Sequence, residues 1–320
     1  MKKILVTGCA GFIGFNLCKH LLNKNYKIIG IDTINNYYST KLKKERLRII
    51  SKYKNFYFKK IDIGDFEDLS KIFKKNKFDI IVNFAAQAGV SHSMKYPEKY
   101  FKSNIQGFFN ICNLAKKYNI KKILYASSSS VYGDNKNLPV KEHYPTNPLN
   151  YYAISKENNE KTAKFFSEIS STKFIGLRFF SIYGEFGRPD MLIYKLLNCY
   201  EKNKIFFLNN NGNHSRDFTY INDVILIIDK LLKKPLINKN EIFNISNTKM
   251  IKLKTLIDLM AQNGIKPVIK KRGFQKGDIK DACGSNIKIK KMIQKKDFTT
   301  FKDGLEKTLI WYKNNKKKIS

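Results

Sequence analysis

The chain reads as an α/β protein in which a doubly wound parallel sheet is joined by a smaller mixed α/β domain, and three observations predict this. From residue 2 to about 180, apolar runs of strand length alternate with stretches that carry apolar residues at helical spacing. The first apolar run is followed at once by three glycines, each three residues apart, that open an amphipathic stretch. Beyond residue 180 the alternation gives way to shorter elements punctuated by Pro189, Gly212 and Pro235.

The first strand is Ile4-Leu5-Val6, and the stretch Phe12 to Leu22 is the first helix. Between them stand Gly8 and Gly11, with Gly14 one turn into the helix. A buried strand ending in such a turn aims the N–H groups of Phe12, Ile13 and their neighbours at a pyrophosphate, where unpaired donors and the helix dipole favour negative charge. The glycines supply the tight turn, the close approach to phosphate and the close helix-to-strand packing. A second strand, Tyr26 to Ile31, delivers Asp32, placed to accept hydrogen bonds from an adenosine ribose. That acid favours NAD over NADP, whose 2′-phosphate it repels. Together these features predict a Rossmann-type dinucleotide site.

The remaining strands follow at Phe56 to Ile61, Ile80 to Phe84, Lys122 to Ala126 and Phe174 to Phe180. Helical stretches separate them at Phe66 to Phe73, Tyr100 to Tyr118 and Tyr151 to Phe166, and recur later at Asp223 to Leu232 and Lys252 to Met260. The expected division is a cofactor-binding domain over 1–180 and a substrate-binding domain over 181–320, interleaved so that some later segments return to the first. In an open α/β sheet the ligand lies beyond the carboxyl ends of the strands. The loops after Phe84, Ala126 and Phe180 are therefore expected to converge on it.

Composition narrows the classes. The formal charge of +35 over 320 residues invites a nucleic-acid partner. The positive charge is nearly all lysine spread from end to end, with no stripe, so neither a nucleic acid nor a membrane is expected as partner. The lysine-rich end, Lys313 to Lys318, reads as a solvated tail. Only six arginines occur, Arg46, Arg48, Arg178, Arg188, Arg216 and Arg272, which makes each informative as a two-pronged anion ligand. The five cysteines are scattered without a C-x-x-C pair, so no disulfide framework and no metal site are expected. With no apolar run of membrane-spanning length and Met-Lys-Lys leading straight into a strand, the expected location is the cytoplasm.

Tyr152-Ala-Ile-Ser-Lys156 puts a phenol and an ammonium on one helix face. A neighbouring cation favours phenolate and is expected to draw the tyrosine from its reference near ~10 toward working pH, as a general acid/base requires. The pattern Y-x-x-x-K occurs six times in this chain and is not diagnostic alone. Tyr152 is distinguished by its place, at the start of the helix after the fifth strand and downstream of Ser127-Ser128-Ser129-Ser130 at that strand's end. A bare dinucleotide fold with this motif leaves open a net reductase or a basic regulatory protein.

Longer motifs sharpen the reading. Ala85-Ala86-Gln87-Ala88-Gly89-Val90, Tyr125 to Gly133, Leu177-Arg178-Phe179-Phe180, Tyr183-Gly184, Gly187 to Met191 and Arg216-Asp217-Phe218-Thr219-Tyr220-Ile221 resemble the extended short-chain dehydrogenase/reductases that act on nucleotide sugars. Within that family the likeness is greatest to the UDP-glucuronate 4-epimerases, which also share Asn36-Tyr37-Tyr38, Leu42-Lys43 and Arg46-Leu47. The resemblance covers about residues 2 to 280. It implies NAD as cofactor, held by Gly8, Gly11, Phe12, Ile13 and Gly14 at the pyrophosphate, by Asp32 at the ribose, and by Asp62 and Ile63 at the adenine. Ala85, Ala86, Gln87 and Phe179 then line the way to the nicotinamide.

The same resemblance implies Tyr152 as acid/base, Lys156 as its electrostatic partner and a ribose ligand, and Ser128 as hydrogen-bond partner of the reacting C4 hydroxyl. Ser129, Ser130 and Ser181 match positions near the sugar's C6 substituent. Arg188 and Arg216 match anion ligands, and Gln275 and Asp278 face the nucleoside. The implied reaction is 4-epimerisation of a UDP-sugar through a 4-keto intermediate, by a homodimer, with UDP-glucuronate first and UDP-glucose or UDP-N-acetylglucosamine as alternatives. The chain departs from the subfamily at Ser91-His92, where arginine and tyrosine are usual, and at Ser215, where glutamine is usual. Ser129-Ser130 stand where a 4,6-dehydratase carries Asp-Glu, which disfavours dehydration.

Overall fold

The computed structural model describes residues 2–273, 279–294 and 297–319. In its main sheet β1 (Lys3–Thr7), β2 (Lys27–Asp32), β3 (Phe56–Lys60), β4 (Ile80–Asn83), β5 (Lys122–Ser128) and β6 (Lys173–Phe179) pair in parallel. The strands β7 (Ser181–Tyr183), β8 (Phe206–Leu208) and β9 (Ser215–Tyr220) lie outside it, and β10 (Asn240–Ile245) returns to its edge beside β6. The order is β10-β6-β5-β4-β1-β2-β3. The chain reverses direction across the sheet between β1 and β4, which opens a crevice at their carboxyl ends.

Both faces of the sheet are covered, which is why its strands are continuous apolar runs. Ile4 and Val6 of β1 join the core built with α1 (Phe12–Leu22) and α2 (Thr40–Ile50). Leu5, pointing the other way, joins the core of the opposite face. That face carries α3 (Phe66–Lys75), α6 (Gly107–Lys117) and α7 (Tyr151–Glu168), reached through α4 (Val90–Lys95) and α5 (Pro97–Tyr100).

The stretch expected as one helix over Tyr100 to Tyr118 is interrupted by a π-helical segment, Phe101–Gln106. Such a segment widens the helix by one residue and re-aims the side chains in it. Here it turns Asn104 inward, with consequences for the site.

Past β6 lie α8 (Leu192–Glu201), α9 (Ile221–Lys233), α10 (Leu253–Gln262), α11 (Ile287–Ile293) and α12 (Phe301–Ile319). The strand β9 is flanked by β7, β11 (Met250–Lys252) and β13 (Asp281–Ala282), while β8 pairs with β12 (Ile269–Lys271). The helix α9 belongs to the first core, packed on α1.

The C-terminal expectation needs correction. Residues 313–318 are the end of α12, whose Phe301, Leu305 and Leu309 are buried and whose Trp311 ring stacks 4.4 Å from Phe186. Lys316 pairs with Glu201 at 3.0 Å. The apolar residues preceding the lysine run carry the helix back onto the fold.

Candidate functional site

The glycine turn is built as its sequence requires. Gly8 has φ +70, and a Cβ on it would stand 2.7 Å from the backbone of Phe84 and Ala85. Its N–H donates to Ile31 at 2.8 Å and its carbonyl accepts from Gly11 at 2.9 Å. A Cβ on Gly14 would lie 2.1 Å from the Gly8 oxygen, so only glycine lets α1 start this close to β1. No side chain caps α1, and its first turn, which includes Phe12 and Ile13, has no acidic residue. This leaves its leading N–H groups and its dipole available to an anion.

Asp32, at the end of β2, is fastened beside this turn. One carboxylate oxygen accepts from Ala10 N–H at 3.1 Å and the other from Ile34 N–H at 2.8 Å. Each oxygen keeps a further lone pair for a ribose hydroxyl. At the next strand end Asp62 accepts from Gly64 N–H at 2.9 Å and faces the Lys102 ammonium at 3.5 Å, with Ile63 buried next to it. After β4, Ala85 N–H donates to Thr7 at 3.0 Å and leads through half-exposed Ala86 to Gln87. Phe179, at the end of β6, closes the floor with its ring 5.9 Å from that of Phe84. The donor set, the placed carboxylate and the backbone cradle that a side chain would fill all fit NAD.

The second group of side chains sits at the ends of β5 and β6. Tyr152 occupies the first turn of α7, which Asn150 caps by accepting from Ala153 N–H at 2.9 Å. Lys156 follows one turn on, buried, with Nζ donating to the Ala126 carbonyl at 3.0 Å and 5.9 Å from the Tyr152 ring centre. The Ser128 hydroxyl stands beside the Tyr152 phenol and favours its ionised form. It also accepts from Ser130 N–H at 3.2 Å and Ser130 Oγ at 2.9 Å, while Ser129 stays half-exposed.

One electrostatic expectation is corrected here. Burial pushes the Tyr152 phenol above its ordinary value, and the opposing pulls come from the Ser128 hydroxyl and the charge of Arg188. The Lys156 ammonium is turned to a carbonyl and is itself brought down to about 8 by burial. Desolvation therefore dominates both groups in this arrangement.

A cavity of about 520 Å³ lies beyond Arg188, whose charge reaches Tyr152. Phe12, at the head of α1, lines it together with Ser181, Arg188, Arg216 and Arg272, so three of the six arginines face one space that abuts the glycine turn. The fork of Arg188, expected on a substrate anion, grips Asp190, with Nε at 2.9 Å from Oδ1 and a second contact to Oδ2. The side chain of Arg216 donates to the carbonyls of Ser215 at 3.0 Å and Lys280 at 2.8 Å. Gln275 and Asp278 lie outside the described residues.

Several residues of the site had escaped the motif reading. Asn104, turned in by the π-helical segment, accepts from Gln87 N–H at 2.7 Å and donates to Gln87 O at 3.1 Å and Ser155 Oγ at 2.9 Å. It thus ties the loop after β4 to the helix that carries Tyr152. Nothing in the spacing signals a π-turn. The arginine count does signal Arg272 and Arg46, and Arg46 proves to be wholly buried behind the glycine turn. Arg178 is instead structural: it makes a two-pronged buried pair with Glu160 at 2.8 and 2.7 Å, and Ser127 donates to the same carboxylate at 2.6 Å.

Comparison with known proteins places this geometry. The NAD dependent epimerase/dehydratase family matches residues 4–246. Protein CapI of Staphylococcus aureus is 37% identical over 97% of this chain and 98% of its own length. UDP-glucuronate 4-epimerase of Thermodesulfobacterium geofontis is 33% identical over 98% of this chain and 97% of its own. The crystal structure of UDP-glucuronic acid 4-epimerase from Bacillus cereus, in complex with UDP-glucuronic acid and NAD, superposes with a TM-score of 0.91 at 28% identity. That superposition covers 98% of this chain and 99% of the other. On the extent of these matches, and with the glycine turn, Asp32 and the Tyr152 group in one crevice, the chain belongs to the NAD dependent epimerase/dehydratase family.

Proposed function

We infer that this protein is an NAD-dependent nucleotide-sugar 4-epimerase that interconverts UDP-glucuronate and UDP-galacturonate. The observation that carries the reading is Tyr152 at the head of α7, with Ser128 and Lys156 beside it and the charge of Arg188, which lines the cavity, acting on its phenol. Identity to a UDP-glucuronate 4-epimerase along nearly the whole chain supports it.

NAD, when bound, supplies reversible two-electron oxidation at the sugar's C4. The chain's own residues do the rest. Tyr152 takes the C4 hydroxyl proton as that carbon becomes a ketone and returns it afterwards, with Ser128 holding the oxygen in line. Lys156 orients the cofactor ribose, and the charge of Arg188 favours the phenolate. Arg216 and Arg188 hold the nucleotide end while the ketone turns in the cavity, and Ser129, Ser130 and Ser181 offer hydroxyls to the C6 substituent. Gln275 and Asp278 complete the nucleoside contacts in this reading.

One observation favours a second sugar. The loop after β4, where Ser91-His92 stand in place of the arginine and tyrosine usual in the subfamily, places His92 among Tyr37, Tyr96 and Tyr100, with Nδ1 3.1 Å from the Tyr100 hydroxyl. Burial and the nearby Lys99 and Lys95 lower its pKa, so this loop brings no histidine cation to a C6 carboxylate at neutral pH. UDP-glucose or UDP-N-acetylglucosamine, with neutral C6 groups, is the alternative.

The test is incubation with each of the three nucleotide sugars and chromatographic separation of the gluco and galacto forms. Interconversion of UDP-glucuronate, with no net change in nicotinamide absorbance, is expected. Conversion of none of the three rejects the epimerase, and stoichiometric consumption of nicotinamide makes it a dehydrogenase. Tyr152→Phe should retain the fold and NAD while losing roughly two to four orders of magnitude in kcat. Turnover at the wild-type rate removes Tyr152 from the mechanism.

The same reading extends to assembly. Phe101, Phe109 and Phe165, on the π-helical segment, α6 and α7, are 52%, 49% and 54% exposed. Such an apolar face on adjoining helices suits a second copy of the chain, and five free cysteines suit a reducing cytoplasm. Among the described residues no helix is long and apolar enough to cross a membrane.

A further inference from the structure

Three segments that are far apart in the sequence meet at the side chain of Tyr37. It stands in the stretch between β2 and α2 that begins at Asp32. Its hydroxyl donates to Asp190 Oδ2 at 3.2 Å, and the Arg188 guanidinium lies 5.9 Å from its ring centre. The His92 ring packs edge-on against it at 4.9 Å. The hydroxyl also fills the space beside Gly89, where φ is +103 and a Cβ would come within 2.1 Å of it. Burial and the Asp190 carboxylate push the Tyr37 phenol up to about 12, so it remains a donor at neutral pH.

The stretch is anchored at its base. Lys43 Nζ donates to the backbone and side-chain oxygens of Asn35, at 2.7 Å each, and Asn35 donates to Gln87 Oε1 at 3.4 Å. Arg46 donates to Ala10 O at 2.8 Å, Tyr38 Oη at 2.7 Å and Phe186 O at 2.5 Å. One short segment is thereby tied to the glycine turn, to the loop after β4 and to the loop that carries Arg188.

We propose that residues 33–39 are a clasp over the dinucleotide, closed by Tyr37 on Asp190, that sets the rates at which NAD leaves and enters. The proposal rests on placing NAD between the glycine turn, Asp32 and the loop Ala85 to Gly89. Tyr37 acts as a positioning residue, spanning from the ribose side of the crevice to the substrate loop. A cofactor restored in every cycle has no need to exchange, so a slow clasp suits epimerisation and would hinder a dehydrogenase.

Tyr37→Phe keeps the ring and removes the bond to Asp190, and Tyr37→Ala removes both. The measurement is exchange of bound NAD against an excess of labelled NAD, with uptake by cofactor-stripped protein followed separately. Release should be roughly tenfold faster in Tyr37→Phe, the scale of one hydrogen bond to a carboxylate, and faster still in Tyr37→Ala. Uptake should accelerate as well, with the melting temperature at saturating NAD held. Release and uptake at wild-type rates in Tyr37→Phe overturn the clasp, as does a fall in melting temperature without faster exchange. Should Tyr37→Ala fail to fold, Tyr37→Phe alone decides. NAD exchange is read without any sugar, so a wrong substrate assignment leaves this test intact.

Discussion

Lys156 shows how burial and function oppose each other in one side chain. Its pKa falls from the ordinary lysine value of 10.5 to about 8 because burial strips the ammonium of water. The unfolded chain therefore binds a proton that the folded chain holds poorly. The cost to stability is complete below pH 8, shrinks as pH rises and is gone above 10.5. Lys156→Met abolishes this cost while losing the bond to Ala126. The stability of the variant minus that of wild type should thus decline from pH 8 to pH 10.5, in parallel urea titrations. A difference constant over that window assigns Lys156 an ordinary pKa. Arg188 makes a related point at the same scale: its neighbour two positions on takes Nε and one Nη of the guanidinium, so a ligand anion that needs that edge must compete with Asp190 for it.

At the scale of elements, the start of α1 depends on the absence of a side chain. A Cβ at Gly14 would stand 2.1 Å from a backbone oxygen that cannot swing aside, unlike the end of a flexible side chain. Gly14→Ala should push α1 off β1 and spread its leading N–H groups. The expected result is loss of co-purifying NAD and destabilisation by about 1–3 kcal/mol, the usual cost of overpacking. Calorimetry and the absorbance of released cofactor check both, and an NAD-replete variant with wild-type melting contradicts this account of the turn. The π-helical segment is a second such device. By turning Asn104 inward it joins Gln87 to Ser155, so the loop lining the cofactor path is fastened to the helix of Tyr152.

For the whole molecule, the balance is between a charge of +35 and an apolar face. Self-repulsion of lysines opposes association, yet Phe101, Phe109 and Phe165 are exposed on helices that pack against one another. Phe165→Glu should shift a dimer to monomer in sedimentation velocity while leaving NAD binding unchanged, because Phe165 touches no part of the site. A wild-type monomer, or a variant that remains dimeric, moves the interface elsewhere. The return of β10 to the main sheet and the docking of α12 against Phe186 bind the later segments to the first core.

What the sequence determined alone was local. The strands β1 to β6, the glycine turn, Asp32 and the order of Ser128, Tyr152 and Lys156 were legible because apolar period, turn glycines and helix spacing are set by residues within a few positions of one another. The edge strand β10, the burial of α12, the inward turn of Asn104 and the partner of Arg188 were decided only by the tertiary structure. So was the direction in which Tyr152 shifts, since desolvation depends on what covers a group and not on which residue follows it. Tyr37 and Asp190 lie 153 positions apart. Their contact exists because the sheet brings the ends of separate strands to one crevice, which no spacing in the sequence records.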